Sequence, residues 1–231
     1  MNNMKCVIIS GGHIGDSFAL EWLERNEYDY MIAADSGMNF LYRNKIVPDV
    51  IAGDFDSVDE SAYQYFINEM RDIASESEIQ KANYPEILRL NPIKDDTDTE
   101  FVIREAIRRG ATSIVILGAT GTRLDHVLAN VYLLGIGLEE GVDIQLVDEH
   151  NCIRMIVNCV QIKKDEQFGE FVSILPVKGD AKGVTLEGMK YPLKDADISC
   201  FSSLGVSNEI YAEIARISVT EGTLLVIESR D

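Results

Sequence analysis

Residues 50–57 read VIAGDFDS. An apolar run ends at a glycine, and two aspartates follow with one residue between them. A short run that is apolar throughout suits a strand covered on both faces, the habit of parallel sheets flanked by helices. The acidic loop behind it raises a second question, because the whole chain already carries a formal charge of −18.

Working outward, the same hand-over recurs. KCVIIS (5–10) reads as a buried strand leading into GGHIGDS, where Asp16 or Ser17 caps a helix whose apolar face is Phe18, Ala19, Trp22 and Leu23. YMIAA (30–34) is a second strand and stops at Asp35. Helices are expected at 37–44 and 58–70, whereas 71–86 fits no period and is expected to be a helix tail and loop. After Asp98 a helix carries Val102, Ile103, Ala106 and Ile107 on one stripe. TSIVILG (112–118) is a strand, Leu124, Val127, Leu128, Val131, Leu134 and Leu138 form a helical stripe, and VDIQLV (142–147) follows.

Near residue 150 the pattern changes. IRMIVN, FVSILPV, GVTLEG, ARISV and TLLVIES are short β-rich runs, with turn signals at Lys178-Gly179-Asp180, Glu187-Gly188 and Glu221-Gly222. The reading is α/β: a Rossmann-like parallel α/β domain over 1–149, then an antiparallel β-sandwich over 150–231.

Composition bounds the function. The chain has 231 residues, 46% of them apolar and 26% charged, which fits a folded chain with a sizeable core. A pI near 4.5 sets it against phosphate backbones, so no nucleic-acid partner is expected, while a cation or a metal ion is attracted. Cys6, Cys152, Cys159 and Cys200 show no C-x-x-C and read as reduced thiols of a cytoplasmic protein. No signal peptide is expected, and the longest apolar stretch, 127–138, falls short of a membrane span.

Asp35, Asp54 and Asp56 fall just beyond strand ends, Asp95, Asp96 and Asp98 (in KDDTDTE) just before a helix, and Asp125 after the strand 112–118. Each alone suits a turn or cap, where a short carboxylate bonds nearby backbone N–H groups. Together they converge, because ligands of an open parallel sheet bind outside the carboxyl ends of its strands. Gathered carboxylates repel one another unless a cation neutralises them, and hard oxygen ligands favour Mg²⁺ together with substrate phosphates. SGGHIG (10–15) offers backbone N–H groups to a phosphate, and Arg123 in GATGTRLD (118–125) offers a guanidinium fork or, more plainly, a surface pair with Asp125. His126 and His13 have bland readings as packing or loop residues. A nucleotide, Mg²⁺ and a cationic acceptor account for the acidic loops.

ADSG (34–37), PDVIAGDFDS (48–57), KDDTDTE (94–100), GATGTRLDH (118–126) and SLGVSNE (203–209), in that order, resemble the thiamine pyrophosphokinases over nearly the whole chain. The resemblance implies transfer of a pyrophosphoryl group from ATP to thiamine, giving thiamine diphosphate and AMP. It implies a homodimer in which the α/β domain of one subunit faces the β-sandwich of the other. By motif match, Asp54, Asp56 and Asp98 are the Mg²⁺ and phosphate-handling carboxylates, and Asp35 and Thr97 line the same crevice. Arg123 and Asp125 fall in the ATP and substrate loop, and Ser207 and Asn208 in the vitamin-recognition loop. Two departures stand out: a longer stretch between GDFDS and KDDTD, and Lys94 where eukaryotic relatives carry Gln. A pyrophosphokinase for another alcohol, such as a pterin, and a non-catalytic nucleotide sensor are the rival readings. The second would be marked by a lost metal aspartate, and none is lost.

Overall fold

The computed structural model describes residues 3–69, 84–91 and 96–231. Lys94, Asp95 and most of the 71–86 stretch lie outside the described residues. The chain divides into two compact units, the first formed by Met1–Leu133 and Glu140–Asp143, the second by Leu134–Glu139 and Ile144–Asp231.

The first unit is a parallel sheet with helices in the connections. Its strands are β1 (Met4–Ile9), β2 (Tyr30–Ala34), β3 (Val50–Gly53), β4 (Glu86–Arg89) and β5 (Ala111–Leu117), in the order β4-β3-β2-β1-β5. Every neighbouring pair is parallel. Val7, Ile8, Ile9, Ile32, Ile51, Ile114 and Ile116 are fully buried, which is why these strands read as unbroken apolar runs. Helices span Asp16–Arg25, Gly37–Arg43, Glu60–Tyr63, Asp98–Arg108 and Leu124–Glu140, and a π-helical turn covers Gln64–Glu69. Strand order reverses about β1, so the connections leaving β1 and β5 diverge and a crevice opens outside their carboxyl ends.

One expectation for this unit needs correction. Glu86, the last residue of the 71–86 stretch expected to be helix tail and loop, begins a strand, Glu86–Arg89, at the sheet edge. Its sequence, EILR, is too short and too polar at its ends to announce itself, and pairing with β3 decides the matter. The stripe on Leu124–Glu140 is only partly inward: Leu134 is buried, but Leu124 and Leu128 are 67% and 50% exposed, and Tyr132 beside them is 62% exposed.

The second unit is antiparallel wherever its pairings are described. It comprises β6 (Asp143–Val147), β7 (Asn151–Ile156), β8 (Cys159–Lys163), β9 (Phe171–Glu187), β10 (Leu193–Ile198), β11 (Asn208–Glu209), β12 (Ile214–Ser218) and β13 (Glu221–Ser229). FVSILPV and GVTLEG belong to one long strand, β9, rather than two. Lys178 (φ 63°) and Gly179 (φ 128°) bend it instead of reversing it. Before the bend β9 pairs with β13 and β11, and after it with β10, with β12 and, at Lys182, again with β13. Val172, Ile174, Val184, Leu186, Ile217, Leu224 and Val226 form its apolar core. All four cysteines are free thiols; Cys6 and Cys152 are buried, while Cys159 is exposed. No helix among the described residues is long and apolar enough to cross a membrane.

Candidate active site

A cleft of about 860 Å³ lies at the carboxyl ends of the first unit's strands. Its walls are the loops after β1 (Ser10–His13), β2 (Asp35, Ser36), β3 (Asp54, Asp56, Ser57) and β5 (Ala119–Arg123), with Thr97, Asp98 and the first turns of Leu124–Glu140. The volume is in the range that holds a nucleotide-sized ligand.

The helix Asp98–Arg108 starts where it does because Thr97 caps it: Thr97 Oγ1 accepts the Glu100 N–H at 3.2 Å. Thr97-x-x-Glu100 is a capping box in the sequence, and it sets Asp98 in the first turn, facing the cleft. Behind Asp98 the buried hydroxyls of Thr99 and Ser10 lie 2.8 Å apart and tie this helix to the end of β1.

Asp35, Asp54 and Asp98 each bring one carboxylate oxygen to a common point, all within 4.8 Å of one another. Where the motif match expects Asp54, Asp56 and Asp98 to hold a metal, the trio that gathers contains Asp35. Asp56 lines the same cleft but is exposed. Burial pushes the Asp35 carboxyl up, the Ser36 backbone N–H partly offsets this, and the charges of Asp98, Asp54 and Asp56 push it up further. Three hard oxygen donors gathered this closely are a fit for a divalent cation such as Mg²⁺.

Arg123 lines the cleft in a two-toothed pair with Asp125, Nη2–Oδ2 2.6 Å and Nε–Oδ1 3.2 Å. The pair holds the Asp125 carboxyl below its usual range, and Asp125 also takes the His126 N–H at 3.0 Å. Both side chains are well exposed, so the pair is weak and a phosphate can displace the carboxylate.

The glycine segment does something other than cradle a phosphate with all its amides. Gly12 N–H donates to Gly118 O and His13 N–H to Thr120 O, both at 2.7 Å. A Cβ on Gly12 would sit 2.3 Å from Thr120 O, so only glycine lets the two loops close to this distance. The segment seams the β1 and β5 loops into one wall.

The structure thus brings Asp35, Asp54, Asp56, Thr97, Asp98, Arg123 and Asp125 to one cleft. Ser207 and Asn208 belong to the second unit. Ser207 has φ 57° and donates its N–H to Ser173 Oγ. Asn208 is buried, and its carboxamide is committed: Oδ1 accepts the N–H groups of Tyr191 and Glu209, and Nδ2 donates to Tyr191 O. Asn208 therefore shapes the loop. In the same unit Tyr191, Phe201 and Tyr211 are 60%, 98% and 85% exposed. Sequence reasoning missed Phe55, buried between two exposed or half-exposed aspartates; the signal was an aromatic residue inside an acidic loop.

The "Thiamin pyrophosphokinase, catalytic domain" family matches residues 22–146, and the "Thiamin pyrophosphokinase, vitamin B1 binding domain" family matches 158–224. A thiamine pyrophosphokinase of Bacillus subtilis is 32% identical over 207 residues, covering 89% of this chain and 90% of the relative. The crystal structure of a B. subtilis thiamine pyrophosphokinase superposes with a TM-score of 0.81 at 30% identity, covering 98% of this chain and 99% of that one. That of a Geobacillus thermodenitrificans thiamin pyrophosphokinase gives 0.80 at 28% identity, covering 99% and 98%. On both family matches, the sequence relatives and the shared fold, this chain belongs to the thiamine pyrophosphokinase family.

Proposed function

We propose that the chain transfers the pyrophosphoryl group of ATP to the hydroxyethyl group of thiamine, giving thiamine diphosphate and AMP. The observation that carries this is the convergence of Asp35, Asp54 and Asp98 beside Arg123 in a strand-end cleft, in a chain that matches both domains of the family. In this reading 1–149 is a Rossmann-like nucleotide and metal domain and 150–231 a thiamine-binding β-sandwich. The parallel order β4-β3-β2-β1-β5 and the antiparallel pairings after residue 143 support that division.

The alcohol oxygen attacks the β-phosphorus, the bond from that phosphorus to the oxygen bridging to the α-phosphate breaks, and AMP leaves with that oxygen. The alcohol O–H bond breaks as the O–P bond forms, and its proton goes to a cleft carboxylate or to solvent. Such transfer needs in-line placement and charge neutralisation more than covalent help from the protein. Asp35, Asp54 and Asp98, with Asp56 beside them, are the groups to hold Mg²⁺, which when bound polarises the phosphates and offsets their charge. Arg123 exchanges Asp125 for a phosphate oxygen and takes up charge on the transferred group. Thr97 keeps Asp98 at the helix start, and the seamed loops at 11–13 and 118–123 wall the nucleotide.

The acceptor is recognised by the loop 203–209. Asn208 holds its backbone, leaving Ser207 and the exposed ring of Tyr191, bonded to Asn208 through its backbone, for a cationic heteroaromatic. A homodimer brings that loop of one chain to the cleft of its partner. The exposed stripe of Leu124, Leu128 and Tyr132 supports a second copy as its cover. Four free thiols support a reducing, cytoplasmic setting. The test is AMP release from ATP and Mg²⁺ with thiamine or with a pterin alcohol. Thiamine-dependent AMP is expected. Equal release with the pterin, or none with thiamine, overturns the reading.

A further inference from the structure

Asp35 and Phe55 both have left-handed backbones, φ 44° and 69°, a region that ordinary side chains avoid. The two positions are coupled. The Phe55 N–H donates to Asp35 Oδ1 at 3.1 Å, and the next amide, Asp56 N–H, donates to Asp54 Oδ1 at 3.1 Å. Two consecutive amides therefore aim two of the three gathered carboxylates. A Cβ on Gly53 would lie 3.0 Å from Asp35 Cα, so the β3 loop presses directly on the β2 loop.

The side chain at 55 fixes this turn. The Phe55 ring is only 7% exposed although aspartates flank it on both sides. Tyr63 meets it edge-on at 6.0 Å, and the Arg89 guanidinium lies over it at 5.5 Å from the ring centre. Arg89 Nη2 donates to Tyr63 Oη at 2.8 Å, closing the grip. Arg89 sits opposite Gly53 in the β3–β4 register, so the edge strand supplies the residue that holds the loop of its neighbour.

We infer that Phe55, gripped by Tyr63 and Arg89, is a positioning residue that sets the Asp35 and Asp54 carboxylates for the cation. The inference rests on the reading of Asp35, Asp54 and Asp98 as the cation site. Outer partners that orient ligands typically govern metal affinity about 10- to 100-fold.

The experiment is binding of Mn²⁺ alone, without nucleotide, read by electron paramagnetic resonance, with Tm measured alongside. Arg89 is exposed, so Arg89→Met keeps the fold. It is expected to weaken Mn²⁺ binding by about 10-fold. Tyr63→Phe keeps the ring and loses the hydroxyl, and falls between the two. Phe55→Gly suits the left-handed turn but removes the anchor, and is expected to lose the most affinity. In steady state Arg89→Met raises the Mg²⁺ requirement and leaves the thiamine KM unchanged. Wild-type Mn²⁺ affinity in Arg89→Met, with or without a lower Tm, overturns the inference and makes the grip plain packing. Wild-type protein that binds no Mn²⁺ that Asp98→Ala abolishes overturns the cation site and the inference together.

Discussion

At the scale of the residue, charge placement decides more than charge count. Asp54 is half-buried at a strand end, with one oxygen held by a backbone amide and another side free for the cleft. Asp54→Asn keeps the volume and removes the charge. Turnover is expected to fall about 10²-fold or more, the order expected for losing a share of phosphate charge neutralisation. Thermal melting is expected to stay close to wild type, because no apolar packing is lost. Near-normal turnover at saturating Mg²⁺ would remove Asp54 from the site. Asp35 and Asp54 were legible in the sequence because each ends an apolar run, and Asp98 because it precedes a helical stripe. Their grouping was not. Asp35 enters the trio in place of Asp56 through a left-handed turn and a hydrogen bond from a residue twenty positions away, and neither leaves a mark in composition. Asn208 shows the converse: its type suited ligand binding, and burial with three backbone partners turned it inward.

At the scale of the element, the helix Asp98–Arg108 carries the site at its start and an ion-pair network at its end. Glu105 is 7% exposed and takes two bonds from Arg108, both 2.7 Å, and one from Arg109 at 2.6 Å. Arg109 reaches on to Glu86 of β4 at 2.9 Å, locking the helix to the edge strand that bears Arg89. The Arg108 bonds hold the Glu105 carboxyl below its ordinary range, burial opposes this, and Arg109 adds to the lowering. A carboxyl lowered on folding stabilises fully above its unfolded pKa, about 4.3, and loses that contribution as pH falls through the lower folded value. Glu105→Gln is therefore expected to melt about 2–6 °C below wild type at pH 7. The gap should close as pH falls below about 4.5. A gap independent of pH would assign the loss to packing instead of charge. The helix itself was legible from its apolar period. The strand Glu86–Arg89 and the continuity of β9 were not, because four residues carry no period and a Gly-containing bend looks like a turn.

At the scale of the whole molecule, the proposal pairs two chains. The carboxylate cleft belongs to the first unit and the loop 203–209 to the second, so a two-fold pair can match one chain's cleft with its partner's loop. Asp98→Ala and Asn208→Ala chains are each expected to be nearly inactive, the first through the cation site and the second through a loop that has lost its backbone ties. Subunits exchanged between them are expected to recover part of the activity, since one mixed pair holds one intact site. Exchange shown by mass with no recovered turnover would rule out a site shared between chains. The sequence by itself determined most of the succession of elements, the strand-end positions of Asp35, Asp54 and Asp56, the helix-start position of Asp98 and the family. These rest on local period, turn chemistry and motif order, all written in neighbouring residues. Only the tertiary structure decided which three carboxylates gather, that Phe55 lies under the grip of Tyr63 and Arg89, that Asn208 serves its own loop, and that Leu124 and Leu128 of a helical stripe stay exposed. Those outcomes depend on which distant backbone amide or ring arrives beside a side chain, and burial and hydrogen bonding across strands fix that only once the chain has closed on itself.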